Sequence, residues 1–227
     1  MDIAAITDWV RGFEAHDLVP VGIDLAAAAM VRFANNRLAV SGDASRNLLV
    51  IDTVDPAAGI VLVVGEDIRF TRSVKALRQS LDQHIARAFR IEPELACELL
   101  EQLRSGAPWT NQAIDRDAAC EALINIERNI AQNLIREATM CLQHVKRIDR
   151  EIMPTHVYVR SQQLDADAIS NIADGLDLKL GDWSLFTGDG FELNHSGSSR
   201  PEGSEWAVAL GLALYGNPAA QAWRDAA

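Results

Sequence analysis

An α/β fold follows from the order in which periodicities succeed one another along this chain. Three β-rich segments at 48–54 (LLVIDTV), 59–64 (GIVLVV) and 68–74 (IRFTRSV) lie close together, helical periods follow, and the last third runs strand, helix, strand, helix. With 227 residues, 48% of them hydrophobic and 23% charged, the chain has the material for a packed core, and disorder is not its main state.

Ile3, Ile6, Trp9, Val10 and Phe13 recur at helical spacing and predict an amphipathic helix over 3–15. Val19 to Asp24 reads as an apolar strand, and the alanine-rich stretch 25–34 as a helix, because alanine has the highest helix propensity. Residues 35–47 are polar, contain Gly42 and Asp43, and predict a linker between two units, 1–46 and 47–227. Asp55-Pro56 and Gly65-Glu66-Asp67 are turn-forming and join the three strand segments into a meander. Val74, Leu77, Leu81, His84, Ile85 and Ala88 share a helical face, and a second helix covers 92–103 before Gly106 to Pro108 break the pattern. From Asp117 to Asp149 there is neither Gly nor Pro, while Leu123, Ile130, Leu134, Ala138, Cys141 and Val145 keep the helical period, so one long helix is predicted. After Pro154 come a strand at 155–160, a helix at 165–176, a strand at 179–186, a Gly/Ser-rich loop at 187–203 and a closing helix near 205–215.

Twenty-one Lys and Arg against 32 Asp and Glu leave a net charge of −11, which repels a phosphate backbone or an anionic bilayer and argues against nucleic acid. The longest apolar run, 25–31, is far short of the roughly 20 residues that span a bilayer. Asp2 stands where a signal peptide carries basic residues, so a cytoplasmic protein without membrane insertion is expected. Cys97, Cys120 and Cys141 lack CxxC spacing and are expected to be reduced and mostly buried. No two of the five histidines have the i, i+4 spacing of a helical zinc site, so no metal ligands are assigned.

Four strings carry a resemblance: WVRGFEAHDLVPVGIDLAAAAMVRFAN, then LLVIDTV with GIVLVV and IRFTRSV, then NLIREATMCLQHV, then EWAVALGLALYG. In that order the chain resembles the PilM family of type IV pilus assembly proteins, which have the actin-like (ribonuclease H-like) fold of sugar kinases, Hsp70 and actin. The resemblance implies a nearly complete second actin-like domain over 47–227, preceded over 1–46 by a helix-strand-helix remnant of the first domain. The strands and first phosphate loop of that first domain have no counterpart in the sequence, so an N-terminally truncated, degenerate member is expected. It implies a cytoplasmic scaffold or docking protein with an inner-membrane pilus or secretion assembly protein as partner. The alternative is a weak ATP-binding protein or ATPase using ATP with Mg.

By the same resemblance Asp52 stands where the second phosphate loop has its metal-positioning Asp, Thr53 follows it, Arg160 ends the strand that precedes the adenosine loop, and Gly211 lies in the closing helix. These four make a vestigial nucleotide site. Backbone amides come close to phosphate oxygens where glycines remove the Cβ, yet Thr53-Val54-Asp55-Pro56 has no glycine, adds a negative charge and loses an amide proton at Pro56. Arg160-Ser161-Gln162-Gln163 occupies the place of a Gly-Gly turn. The residues taken by themselves read as a strand-end carboxylate at Asp52, a solvated charge at Arg160 and a packing glycine at Gly211. No catalytic residue and no cofactor are assigned. The apolar faces of 1–36, notably Trp9, Val10, Phe13 and 26–31, either fold back on the second unit or are covered by another chain; the second is expected, as a homodimer or a complex with a pilus or secretion component.

Overall fold

A computed structural model describes residues 3–18, 25–40, 47–54, 59–65, 67–74, 81–111, 113–149, 152–161, 164–183, 207–209 and 211–212. Its elements run α1 (Ile3–Glu14), α2 (Ala26–Val40), β1 (Asn47–Asp52), β2 (Gly59–Val64), β3 (Asp67–Ser73), α3 (Leu81–Phe89), α4 (Pro93–Ser105), α5 (Arg116–Ile148), β4 (His156–Arg160), α6 (Ala166–Leu176) and β5 (Lys179–Leu180). Residues 207–209 and 211–212 are helical as well.

The strands form one sheet in the order β3-β2-β1-β4-β5. β1, β2 and β3 are an antiparallel meander, and β4 joins β1 in parallel register, Leu48 opposite His156 through Asp52 opposite Arg160. β5 adds to β4 in parallel. The expected meander with parallel additions is therefore what the sheet contains.

The middles of β1 and β2, 48–51 and 60–63, are apolar and buried because both faces are covered. Leu49, Ile51, Ile60, Leu62, Val157 and Val159 point into a core made with α3, α4, α5 and α6. Their alternates Leu48, Val50, Val61, Val63 and Tyr158 point the other way, against Met30, Val31, Phe33, Ala34 and Leu38 of α2, with Trp183 and Ala207. β3, at the sheet's edge, alternates between half-buried and exposed residues instead. Helix starts are set by side chains: Asp115 Oδ1 accepts from the Ala118 amide at 3.0 Å and Asp165 Oδ1 from the Ala168 amide at 2.7 Å, capping α5 and α6. Pro93 opens α4, and Gly106 closes it with φ of 69°.

Four expectations need correction. Residues 35–40 are not linker but the last turns of α2: Leu38 continues the buried period, and Asn35 Nδ2 donates to the Gly65 carbonyl at 3.1 Å in the β2–β3 turn. Ala29, Met30 and Val31 do not await another chain, since they are buried on this chain's own sheet. Of the strand placed at 179–186, the described residues 179–183 hold strand only at Lys179 and Leu180, with the Gly181 amide donating the last ladder bond to the Val157 carbonyl at 2.8 Å. Cys97 is exposed and Cys120 half-buried, so Cys141 alone meets the expectation of burial, which pushes its thiol pKa up. The strand at 19–24, the loop at 187–203 and most of the closing helix lie outside the described residues.

Candidate functional site

The C-terminal ends of β1 and β4 bring Asp52, Thr53, Arg160 and Ser161 together. Asp52 and Arg160 are partners across the parallel ladder, and each continues the alternation that points Leu48, Val50 and Tyr158 toward α2. Their side chains meet as an ion pair, with Arg160 Nη1 donating to Asp52 Oδ2 at 3.1 Å and to Oδ1 at 3.4 Å, and each side chain is only 13% exposed. Asp52 Oδ1 also accepts from the Val54 amide at 3.1 Å, an Asx turn that bends the chain out of β1. One oxygen of the carboxylate thus answers its own turn, and both answer Arg160.

Thr53 points to the other face. Its amide donates to the Arg160 carbonyl at 2.9 Å, its hydroxyl to Ser161 Oγ at 2.8 Å, and Ser161 Oγ accepts from the Leu164 amide at 3.0 Å ahead of α6. Thr53 is 2% exposed, so this chain of hydrogen bonds stitches β1, β4 and the entry to α6 under cover. Arg160 is accordingly not the solvated charge that its position at a strand end suggests.

Gly211 lies elsewhere, against α2. A Cβ on it would stand 1.8 Å from the Ala29 carbonyl oxygen, and its own carbonyl accepts from Arg32 Nε at 3.0 Å. Only a residue without a side chain lets these two helices touch there. The structure therefore brings Asp52, Thr53 and Arg160 together and places Gly211 in a helix contact. Val10 is half-buried and Phe13 is 47% exposed on α1; the side chain of Trp9 lies outside the description, as do Asp55, Pro56, Gln162 and Gln163.

Among the described residues no group of three or more His, Cys, Asp or Glu is arranged to hold a metal ion. No described helix is long and apolar enough to cross a membrane. Ser161 and the Val54 amide were not singled out from sequence, although a polar residue just after the predicted β4 was the available signal.

No family model and no curated protein matches the sequence. Solved structures do match. The PilM-PilN type IV pilus biogenesis complex superposes with a TM-score of 0.61 at 22% identity, over 93% of this chain and 57% of that one. Ethanolamine utilization protein EutJ from Carboxydothermus hydrogenoformans does so with a TM-score of 0.51 at 13% identity, over 90% of this chain and 58% of that one. The fold is actin-like. This chain spans less than two thirds of either of those actin-like chains. Within its actin-like sheet, the Asp52–Arg160 pair is a carboxylate and a guanidinium that neutralise each other at adjacent strand ends, an arrangement suited to holding the strands in register.

Proposed function

We propose that this chain is a docking component of a type IV pilus or related secretion assembly, built on an actin-like second domain (47–227) with a remnant of the first (1–46), and that it works without binding or hydrolysing nucleotide. The observation that carries the second half is the Asp52–Arg160 pair: the carboxylate that would orient a metal and its water already has a cation at 3.1 Å. A Mg-nucleotide would have to displace Arg160 from a carboxylate that is 13% exposed. The docking half is supported by the likeness to a PilM chain in a complex with PilN. A membrane-associated assembly protein is the partner class, and the protein acts at the cytoplasmic side.

Because α2 covers its own sheet, the surface offered to a partner or a second copy narrows to α1, with Val10 and Phe13 in place of the wider set that includes 26–31. The experiment has two arms. Millimolar Mg-ATP leaves the melting temperature unchanged, where a nucleotide-binding protein would gain stability by mass action; a saturable rise lost in Asp52→Ala overturns the inactive reading. Co-purification with an inner-membrane assembly protein is reduced by Phe13→Asp with the melting temperature kept, and capture that ignores Phe13→Asp overturns the assignment to α1.

A further inference from the structure

α5 turns to solvent a row of cations that no described residue answers with an ion pair. Arg128, Arg136, Lys146 and Arg147 are all exposed and make no ion pair among the described residues, whereas Arg11, Arg69, Arg72, Arg104 and Arg160 each have a carboxylate. Arg90, Arg116 and Lys179 likewise have none among the described residues, and α5 carries exposed Asp117 and Glu121 in the turns before Arg128, so what sets the four apart is that they share one side of one helix. At 100° and 1.5 Å per residue, Arg128 and Lys146 fall on one line and Arg136 and Arg147 close to another, so the four occupy an arc of about 100° and a length of about 28 Å. Between them the same arc carries exposed amides, Asn129, Gln132 and Gln143, while Glu127 is buried and Glu137 turns away to Arg72.

Two of the cations are held in the same manner. Arg128 Nη1 donates to Asn125 Oδ1 at 3.2 Å, and Arg136 Nη2 donates to Asn133 Oδ1 at 2.7 Å. The sequence Asn-x-x-Arg thus recurs at an eight-residue step, and each asparagine engages one nitrogen while the rest of the fork stays available to an incoming carboxylate. Side chains fixed in this way lose less freedom when a partner arrives.

We infer that this ridge docks an acidic helix of another protein, one whose Asp or Glu residues recur about every two to three turns and meet Arg128, Arg136 and the Lys146–Arg147 pair in succession. Four charges over about 28 Å match such a helix better than duplex DNA, which carries a charge about every 1.7 Å. The inference goes beyond the pilus reading and stands or falls separately from it, because the test uses no pilus protein.

Fluorescence anisotropy at low ionic strength tests it, with a labelled, alanine-rich helical peptide of about 20 residues carrying glutamates at that spacing. Saturable binding is expected, weakened about tenfold by Arg128→Ala with Arg136→Ala. A smaller loss follows Asn125→Ala with Asn133→Ala, and Arg69→Ala on β3 leaves binding unchanged; all variants keep the wild-type melting temperature. No saturable binding, an equal loss from Arg69→Ala, or tighter binding to a DNA duplex of similar length would overturn the assignment.

Discussion

Asp52 and Arg160 hold one another where neither is free to be fully hydrated, so removing one leaves the other with a charge in a site 13% exposed. Asp52→Ala and Arg160→Ala are each expected to destabilise by roughly 2 kcal/mol, and the double variant by less than the sum, because the orphaned charge disappears with its partner. Urea unfolding of the four proteins measures the coupling; strict additivity would mean the pair contributes nothing. A second carboxylate obeys a different balance. Glu127 on α5 is buried against Arg104 of α4, Arg104 Nη2 lying 3.6 Å from Glu127 Oε1. Burial pushes its pKa up, Asp165 at the head of α6 pushes it further, and Arg104 opposes both. With a raised folded-state value the native protein holds more protons than the unfolded chain, so this contribution is full below the ordinary glutamate range and is lost as pH rises through the folded-state value. Glu127→Gln should flatten that part of the stability–pH curve. Parallel curves for the two proteins across that window would remove Glu127 from the account.

Elements meet in this fold through small residues and one aromatic set. Trp183 stacks on Phe33 of α2 with centroids 5.8 Å apart, meets Tyr158 of β4 edge-on at 4.9 Å, and donates from Nε1 to the Val159 carbonyl at 2.8 Å. One turn before Phe33 on α2, Gly211 lets the closing helix touch the Ala29 carbonyl. Gly211→Ala is expected to destabilise by about 2 kcal/mol or more, since the clash is with backbone and the helices must move apart. A loss within the ordinary helix gain from alanine, read by thermal melting, would mean the contact yields easily. Much of this was legible beforehand. The apolar runs of β1, β2 and β4 announce strands buried on both faces, and the unbroken period of 117–149 announces α5. The end of α2 was hidden because Asn35, Asn36 and Arg37 look like a linker, while the period that matters rests on Leu38 alone. The Asp52–Arg160 pair was hidden for another reason: it joins residues 108 positions apart, and only the parallel register of β1 and β4 makes them neighbours.

At the scale of the molecule, the described residues form one sheet with helices on both sides, and its middle strand has partners of two kinds. β2 follows β1 after a short connection, whereas β4 comes a full α3–α4–α5 excursion later, Leu48 pairing with His156. That asymmetry has a consequence while the protein is being made. A ribosome adding about 5–20 residues per second exposes the flank of β1 for roughly 5–20 s before β4 can close it. Through that interval Leu48 to Ile51 present an open hydrogen-bonding edge with apolar side chains on either side, the kind of template that pairs with a neighbouring chain. Stalled nascent chains that end just before β4 are therefore expected to be held by chaperones or to aggregate, and chains long enough to free Trp183 from the ribosome to be released from both. Equal chaperone occupancy at the two lengths would show that another part of the chain guards the edge. The sheet's centre is thus its most sheltered part once finished and its most vulnerable part during synthesis.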